Sequence, residues 1–225
     1  MANIIMIEGA SGSGKSFAMN TLLQEQFKEQ TGVFNVASKR LPFRNDLKVA
    51  NHADYTTIFK CWQRSEQSGA WKLIYVIDDS QYLMAFDAFG RAKETGYQKY
   101  SDMAVNFYNL IRYAIEKIPD DVNVYFLHHT EMTDDGHIKA KTLGKMIDNQ
   151  LTLEGLFSIV LLAQTDGKRH WFTTQSDGYT TAKSPMGMFP LEIENDLAAV
   201  DTAIRDYYGM KPIITTTEQE NKGND

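Results

Sequence analysis

The eight residues Gly9-Ala10-Ser11-Gly12-Ser13-Gly14-Lys15-Ser16 constrain this chain more than any other stretch. They match G-x-x-x-x-G-K-[ST] at every fixed position, and the flanking pattern matters as much as the match. Ile4 to Ile7 is a short apolar run, bounded by Glu8-Gly9, that reads as a buried strand. After the loop, Met19, Leu22, Leu23 and Phe27 recur at helical spacing, with Gly32 where a C-cap belongs. A glycine loop between a buried strand and a helix can wrap a phosphate in successive backbone N–H groups, because glycine permits the dihedrals and the close approach. Gly9, Ala10, Ser11, Gly12, Ser13 and Gly14 are then the cradle. Lys15 reaches the β- and γ-phosphates, the Ser16 hydroxyl ligates Mg²⁺, and the helix N-terminus adds its dipole. The competing reading is a fortuitous glycine-rich turn, which the context on both sides disfavours. A dinucleotide-binding G-x-G-x-x-G is excluded, since Phe17 stands where the third glycine belongs. The expected cofactors are ATP and Mg²⁺.

The rest of the chain continues the alternation of strand and helix. Val33 to Ala37 predicts a second strand, and Asp54 can cap a helix whose Ile58, Phe59 and Trp62 share a face, ending near Gly69. Leu73 to Ile77 is a continuous apolar run closed by Asp78-Asp79. Residues Gln98 to Lys117 predict the longest helix: Tyr100, Met103, Ala104, Phe107, Leu110, Ile111, Ala114 and Ile115 follow three- and four-residue steps, and Pro119 stops it. Further strands are expected at Val122 to Leu127, Phe157 to Leu162 and Trp171 to Thr174, and a last helix is expected to be capped by Asn195 and closed by Gly209. This pattern predicts an α/β fold with a mostly parallel sheet and helices on both faces. A length of 225 residues suits one such domain, over residues 1–212, with a polar tail over 213–225.

Composition excludes more than it identifies. Cys61 is the single cysteine, so a disulfide framework and a cysteine zinc site are both ruled out. No apolar run reaches the roughly 20 residues a membrane span needs, and the N-terminus lacks a basic leader, so a cytoplasmic protein with no membrane partner is expected. With 23 basic and 29 acidic residues the net charge is −6, which is not the footprint of a protein that holds DNA by bulk electrostatics. A local basic stripe, or a groove assembled between subunits, would still suffice.

Asp78, at the end of an apolar strand, is placed to hold magnesium through its water shell. Asp79 is a candidate for orienting the attacking water, with a solvated surface acid as its alternative. His128 and His129 end a predicted central strand, at the edge where ligands bind in open α/β sheets. Strand alternation lets one of them face a nucleotide. His129 is the candidate to touch the γ-phosphate, and His128 reads as a satisfied core histidine. The catalytic candidates are therefore Lys15, Asp79 and His129, and the metal candidates are Ser16 and Asp78.

Val76-Ile77-Asp78-Asp79-Ser80-Gln81-Tyr82-Leu83-Met84 and Leu127-His128-His129-Thr130-Glu131 resemble stretches of phage-encoded RecA-like P-loop ATPases. So do Lys141-Thr142-Leu143-Gly144-Lys145-Met146-Ile147-Asp148 and Ala182-Lys183-Ser184-Pro185-Met186-Gly187-Met188-Phe189. The likeness spans roughly residues 3 to 209. It is to the AAA-domain nucleotide-binding proteins, some of which are assigned to single-strand annealing in recombination. It implies a P-loop NTPase fold, an ATPase acting on single-stranded DNA in the host-cell cytoplasm, homo-oligomers, and single-strand-binding or replication proteins as partners. One position departs from that group. Where a catalytic glutamate usually ends the strand after the first helix, this chain has Val36-Ala37-Ser38-Lys39-Arg40, with no acid until Asp46. The resemblance therefore does not identify the water-orienting base.

Basic residues cluster at Lys139, Lys141, Lys145, Lys168 and Arg169, and again at Lys39, Arg40, Arg44 and Lys48. They read either as a solvated face or as a nucleic-acid path, with Lys145 or Lys183 reaching a neighbour's γ-phosphate. Met132 to His137 reads as a hairpin tip. Two other function classes compete with the DNA-linked ATPase: a nucleotide-dependent interaction switch with weak hydrolysis, and a small-molecule kinase. The seven scattered arginines argue against the kinase.

Overall fold

A computed structural model of the chain describes residues 2–144 and 150–214. Its centre is a nine-stranded sheet in the order β3-β2-β4-β5-β1-β7-β8-β9, with β6 paired to β5. The strands are β1 (Asn3–Gly9), β2 (Thr31–Asn35), β3 (Lys48–Asn51), β4 (Ile74–Asp78), β5 (Asn123–Met132), β6 (Ile138–Ala140), β7 (Ile159–Thr165), β8 (His170–Thr173) and β9 (Glu192–Glu194). From β3 to β7 every neighbouring pair on that path is parallel, whereas β8, β9 and β6 join antiparallel. The expected α/β architecture with a mostly parallel sheet is thus observed.

Period-two alternation along the central strands builds two cores. Ile4 and Met6 of β1, Tyr75 and Ile77 of β4, and Val124 and Phe126 of β5 point to one face. There they meet α2 (Tyr55–Ser68), α3 (Gln81–Gly90) and α4 (Gln98–Lys117). Ile5, Ile7, Ile74, Val76, Tyr125 and Leu127 point to the other face. That face is covered by a 3₁₀ segment (Phe17–Leu23), the single turn α1 (Glu25–Lys28) and α5 (Leu197–Tyr207).

The expected helices α2 and α4 both form. Asp54 accepts the Thr57 N–H at 2.7 Å, and Gly69, at φ 67°, closes α2. Helix α4 spans the expected residues and buries Met103, Ala104, Phe107, Leu110, Ile111 and Ala114, although Tyr100 stays exposed. The hairpin at Met132–His137 also forms, because Thr130–Met132 pairs with Ile138–Ala140 and so extends β5 well past Leu127.

Three expectations are corrected. The helix after the glycine loop is a 3₁₀ segment followed by one α-turn, and Gly32 lies inside β2. The Thr21 hydroxyl donates back to the Ala18 carbonyl and accepts the Ala198 N–H, which fixes a tighter turn than an α-helix allows. The last helix is capped by Asp196, whose carboxylate accepts the Ala199 N–H at 2.9 Å, and not by Asn195. Helix α3 and the short strands β3 and β9 carry no clear periodicity and went unread.

Candidate functional site

The C-terminal ends of the parallel strands surround a cavity of about 380 Å³. The glycine loop forms its floor, and Asp78, Asp79, His129, His170 and the Lys39–Pro42 segment form its walls. Two glycines in the loop are required by contact. A Cβ on Gly9 would lie 2.7 Å from the Ala163 carbonyl oxygen, and one on Gly14, which has φ 96°, would lie 2.9 Å from the His170 ring. Lys15 is 6% exposed and folds back on its own loop, donating to the Gly9 carbonyl at 2.7 Å and the Ala10 carbonyl at 2.8 Å. Burial pulls its pKa down to about 8, against the opposing pull of Asp79 and Asp78. Among the described residues it forms no ion pair, and the buried Ser13 hydroxyl has no hydrogen-bond partner.

Ser16 donates to Asp78 Oδ1 at 2.7 Å, so the two expected metal ligands are in contact. Burial raises Asp78 to about 6, partly countered by the Ser16 hydrogen bond. No group of three or more His, Cys, Asp or Glu side chains converges as a metal cage among the described residues. This donor set fits a magnesium ion held by one hydroxyl, one carboxylate through water, and a ligand's phosphates.

Alternation alone would turn Asp79 away from Asp78. Asp79 instead adopts a left-handed φ of 59°, a conformation that costs a non-glycine residue free energy, and both carboxylates line the cavity. Asp79 is clamped there. His129 Nε2 donates to Oδ1 at 3.1 Å, and Lys39 Nζ forms an ion pair with Oδ2 at 2.6 Å. Burial would raise the Asp79 pKa, but the hydrogen bonds and charges of His129 and Lys39 outweigh it and hold the carboxyl below its ordinary range.

The adjacent histidines divide as the strand pattern predicts. His128 shares the face of Val124 and Phe126, is fully buried, and packs on Phe107. Its Nε2 donates to the Lys141 carbonyl at 2.8 Å, and its Nδ1 meets the Ser80 hydroxyl at 2.9 Å. Burial lowers its pKa to about 4, so it is neutral. His129 lies opposite Gly9 in register and lines the cavity.

Two residues at the site, and one buried beside its loop, escaped sequence reasoning. Lys39 sat in a basic cluster with nothing to distinguish it from its neighbours. His170 is far along the chain, yet it packs on Gly14 and contacts the Ser13 carbonyl at 3.1 Å. Glu8, on the α4 face of β1, is fully buried; burial raises its pKa to about 7, Thr181 donates to one oxygen, and Oε2 has no partner. Its signal was an acid interrupting an apolar strand. Each basic cluster is partly committed. Lys139 pairs with Glu131, and Arg169 pairs with Glu192 and stacks on Trp171, while Lys39 pairs with Asp79 and Lys48 with Glu29; among the described residues Lys141, Lys168, Arg40 and Arg44 have no ion pair. Lys183 bridges Val160 through its backbone and does not line the cavity. Lys145 and the 215–225 tail lie outside the described residues.

No protein-family model matches the chain, and no curated protein matches it in sequence. Among the described residues, no helix is long and apolar enough to cross a membrane.

Proposed function

We propose that this chain binds and hydrolyses ATP with Mg²⁺ as a RecA-like P-loop ATPase of phage DNA recombination or replication, acting on single-stranded DNA. One observation carries the reading: Lys15, Ser16, Asp78, Asp79 and His129, far apart in the sequence, converge on one cavity with the glycine loop as its floor. The loop amides and Lys15 bind the phosphates, and Lys15 exchanges its two carbonyl partners for the phosphate oxygens. Ser16 and Asp78 would hold the magnesium, which neutralises phosphate charge. Strand β5 lies between the loop strand β1 and the Asp78 strand β4, which supports a role for His129 at the end of the phosphate chain, where it would relay the nucleotide's state through Asp79. The test is ATPase turnover and Mg²⁺–ATP binding, measured with and without single-stranded DNA. Absence of ATP binding by the folded protein overturns the proposal.

The geometry also favours a second reading, a nucleotide switch with slow hydrolysis. Asp79, the nearest candidate to orient water, is already engaged by Lys39 and His129, and Lys39 occupies the segment where a glutamate would be expected. ATP binding with turnover unaffected by DNA would select the switch.

A further inference from the structure

A second cleft, of about 490 Å³, adjoins the cavity and shares Lys39, Arg40 and Leu41 with it. It lies at the C-terminal ends of β2 and β3, and no carboxylate lines it. This composition is unusual in an acidic chain whose other arginines are mostly committed. Arg91, Arg112, Arg169 and Arg205 each pair with an acid. Arg40 and Arg44 have no such partner among the described residues, and both are exposed on this cleft with His52 beside them.

The backbone around the cleft is held in place. Ser38 and His52 both have a left-handed φ of 54°, and the Ser38 hydroxyl accepts the His52 N–H. Non-glycine residues keep such dihedrals where surrounding structure over-determines them, commonly beside ligand sites. Asn35 donates to the Lys39 carbonyl at 2.7 Å and to Asn51 Oδ1 at 3.0 Å, while its own buried oxygen has no partner. An aromatic ring completes the wall: Phe43, half-buried, lines the cleft and meets Phe17, 44% exposed, edge to face at 6.5 Å.

We propose that this cleft is the path of a single-stranded nucleic acid, with Arg40 and Arg44 on its phosphates and Phe43 and the Asn35 amide toward its bases. The proposal names where the strand of the function above would bind, and rests on that reading only in its choice of partner. Exposed, long cationic side chains beside an aromatic face suit a backbone that is tracked and bases that are stacked. An isolated phosphate would need buried donors converging on one point. The other basic cluster also leaves two cations, Lys141 and Lys168, without an ion pair among the described residues, but the carboxylates of Glu131, Asp166 and Glu192 stand among its charges and its Trp171 is already stacked on Arg169, whereas no carboxylate lines this cleft.

The test is fluorescence anisotropy of a labelled oligothymidylate of about 20 nucleotides, with Arg40→Ala/Arg44→Ala, Arg44→Ala alone, and Lys168→Ala/Arg169→Ala as variants. Removing both cleft arginines should weaken binding at low salt by about tenfold, and lower the slope of log affinity against log salt by about 1.4, two contacts at about 0.7 each for a single strand. Arg44→Ala alone should bind Mg²⁺–ATP as the parent does, and the Lys168/Arg169 variant should bind the oligonucleotide as the parent does. Thermal melting of each variant checks that it is folded. The proposal is overturned if the parent does not bind the oligonucleotide at low salt, if the double variant binds it unchanged, or if the loss follows Lys168 and Arg169. Displacement of the oligonucleotide by thymidine monophosphate or inorganic phosphate at equal phosphate concentration would make the cleft a small-anion site, and also overturns it. If the parent binds no ATP but the double variant loses the oligonucleotide, the nucleotide reading falls and the strand path stands.

Discussion

At the N-terminal ends of β1 and β5, Arg205 and Asp201 are buried about as completely as Lys15 and Asp78 are at the C-terminal ends. The first pair is fully matched. Arg205 donates from Nε to Asp201, from Nη1 to the Asp121 and Lys211 carbonyls, and from Nη2 to the Leu73 carbonyl. The other Asp201 oxygen accepts from Asn123 and Tyr125. At the C-terminal end, Lys15 has only loop carbonyls for partners, and Ser13 Oγ and Glu8 Oε2 have none. Burial of charge is costly in both places. Where hydrogen bonds compensate it, the network is part of the fold; where they do not, as at Lys15, the proposed phosphate ligand would supply the compensation. Loss of a residue should therefore damage stability at one end and binding at the other.

The largest effect tests the matched end. Arg205→Ala leaves Asp201 buried without its cation and should cost about 3–5 kcal/mol of stability, read by chemical denaturation, while the folded fraction still binds ATP. A loss below about 1 kcal/mol would show that this pair is not structural. At the other end, Lys15→Ala should cost about 1.5–3 kcal/mol of Mg²⁺–ATP binding, the range for hydrogen bonds to a charged group, and leave the melting temperature nearly unchanged. A melting temperature that falls as far as for Arg205→Ala would erase the distinction.

Glu8 sharpens the comparison through pH. Its folded pKa, about 7, lies above the ordinary 4.5. Between those values the unfolded chain has released the proton and the folded chain has kept it, so stability falls as pH rises from 4.5 to 7 and then levels. Glu8→Gln should therefore raise the melting temperature at pH 8 relative to the parent, by the equivalent of roughly 3 kcal/mol, and change little at pH 4. An equal effect at both pH values would mean that the carboxyl is not held protonated.

A smaller effect separates the two acids. Asp78→Asn should weaken magnesium-dependent ATP binding, by about 1–2 kcal/mol, because the partner of Ser16 loses its charge. Asp79→Asn should leave affinity nearly intact and slow hydrolysis. Equal losses of affinity in a Mg²⁺–ATP titration would show that the roles are divided wrongly. The smallest effects belong to the histidines. His129→Ala should discriminate less between ATP and ADP by about 1 kcal/mol, with stability kept, and His128→Ala should lower stability instead. Swapped phenotypes would place His128 on the matched side of the comparison in appearance only.

Sequence legibility followed the range of the interaction. The glycine loop, the Asp54 cap, Gly69 and the 20 residues of α4 are encoded within a few residues of themselves, and all were readable. The division between His128 and His129 needed only period-two alternation. Where a distant partner decides, the reading failed. Thr21 meets Ala198 and tightens the turn after the loop. The last helix is a local exception: Asn195 and Asp196 are adjacent cap-forming residues, and it is the Asp196 carboxylate that accepts the Ala199 N–H.

By itself, then, the sequence determined the strand and glycine loop at the entry, the mostly parallel sheet, and which side chains are candidates for phosphate and metal chemistry, because each depends on local dihedrals, spacing and periodicity. Only the tertiary structure decided that Asp79 turns into the cavity at a left-handed φ, that Lys39 and His129 hold it there, that Glu8 is buried without a full set of partners, and that Arg40 and Arg44 are left unpaired beside a cleft. Burial and pairing are properties of what packs against a residue, and its sequence neighbours do not carry that information.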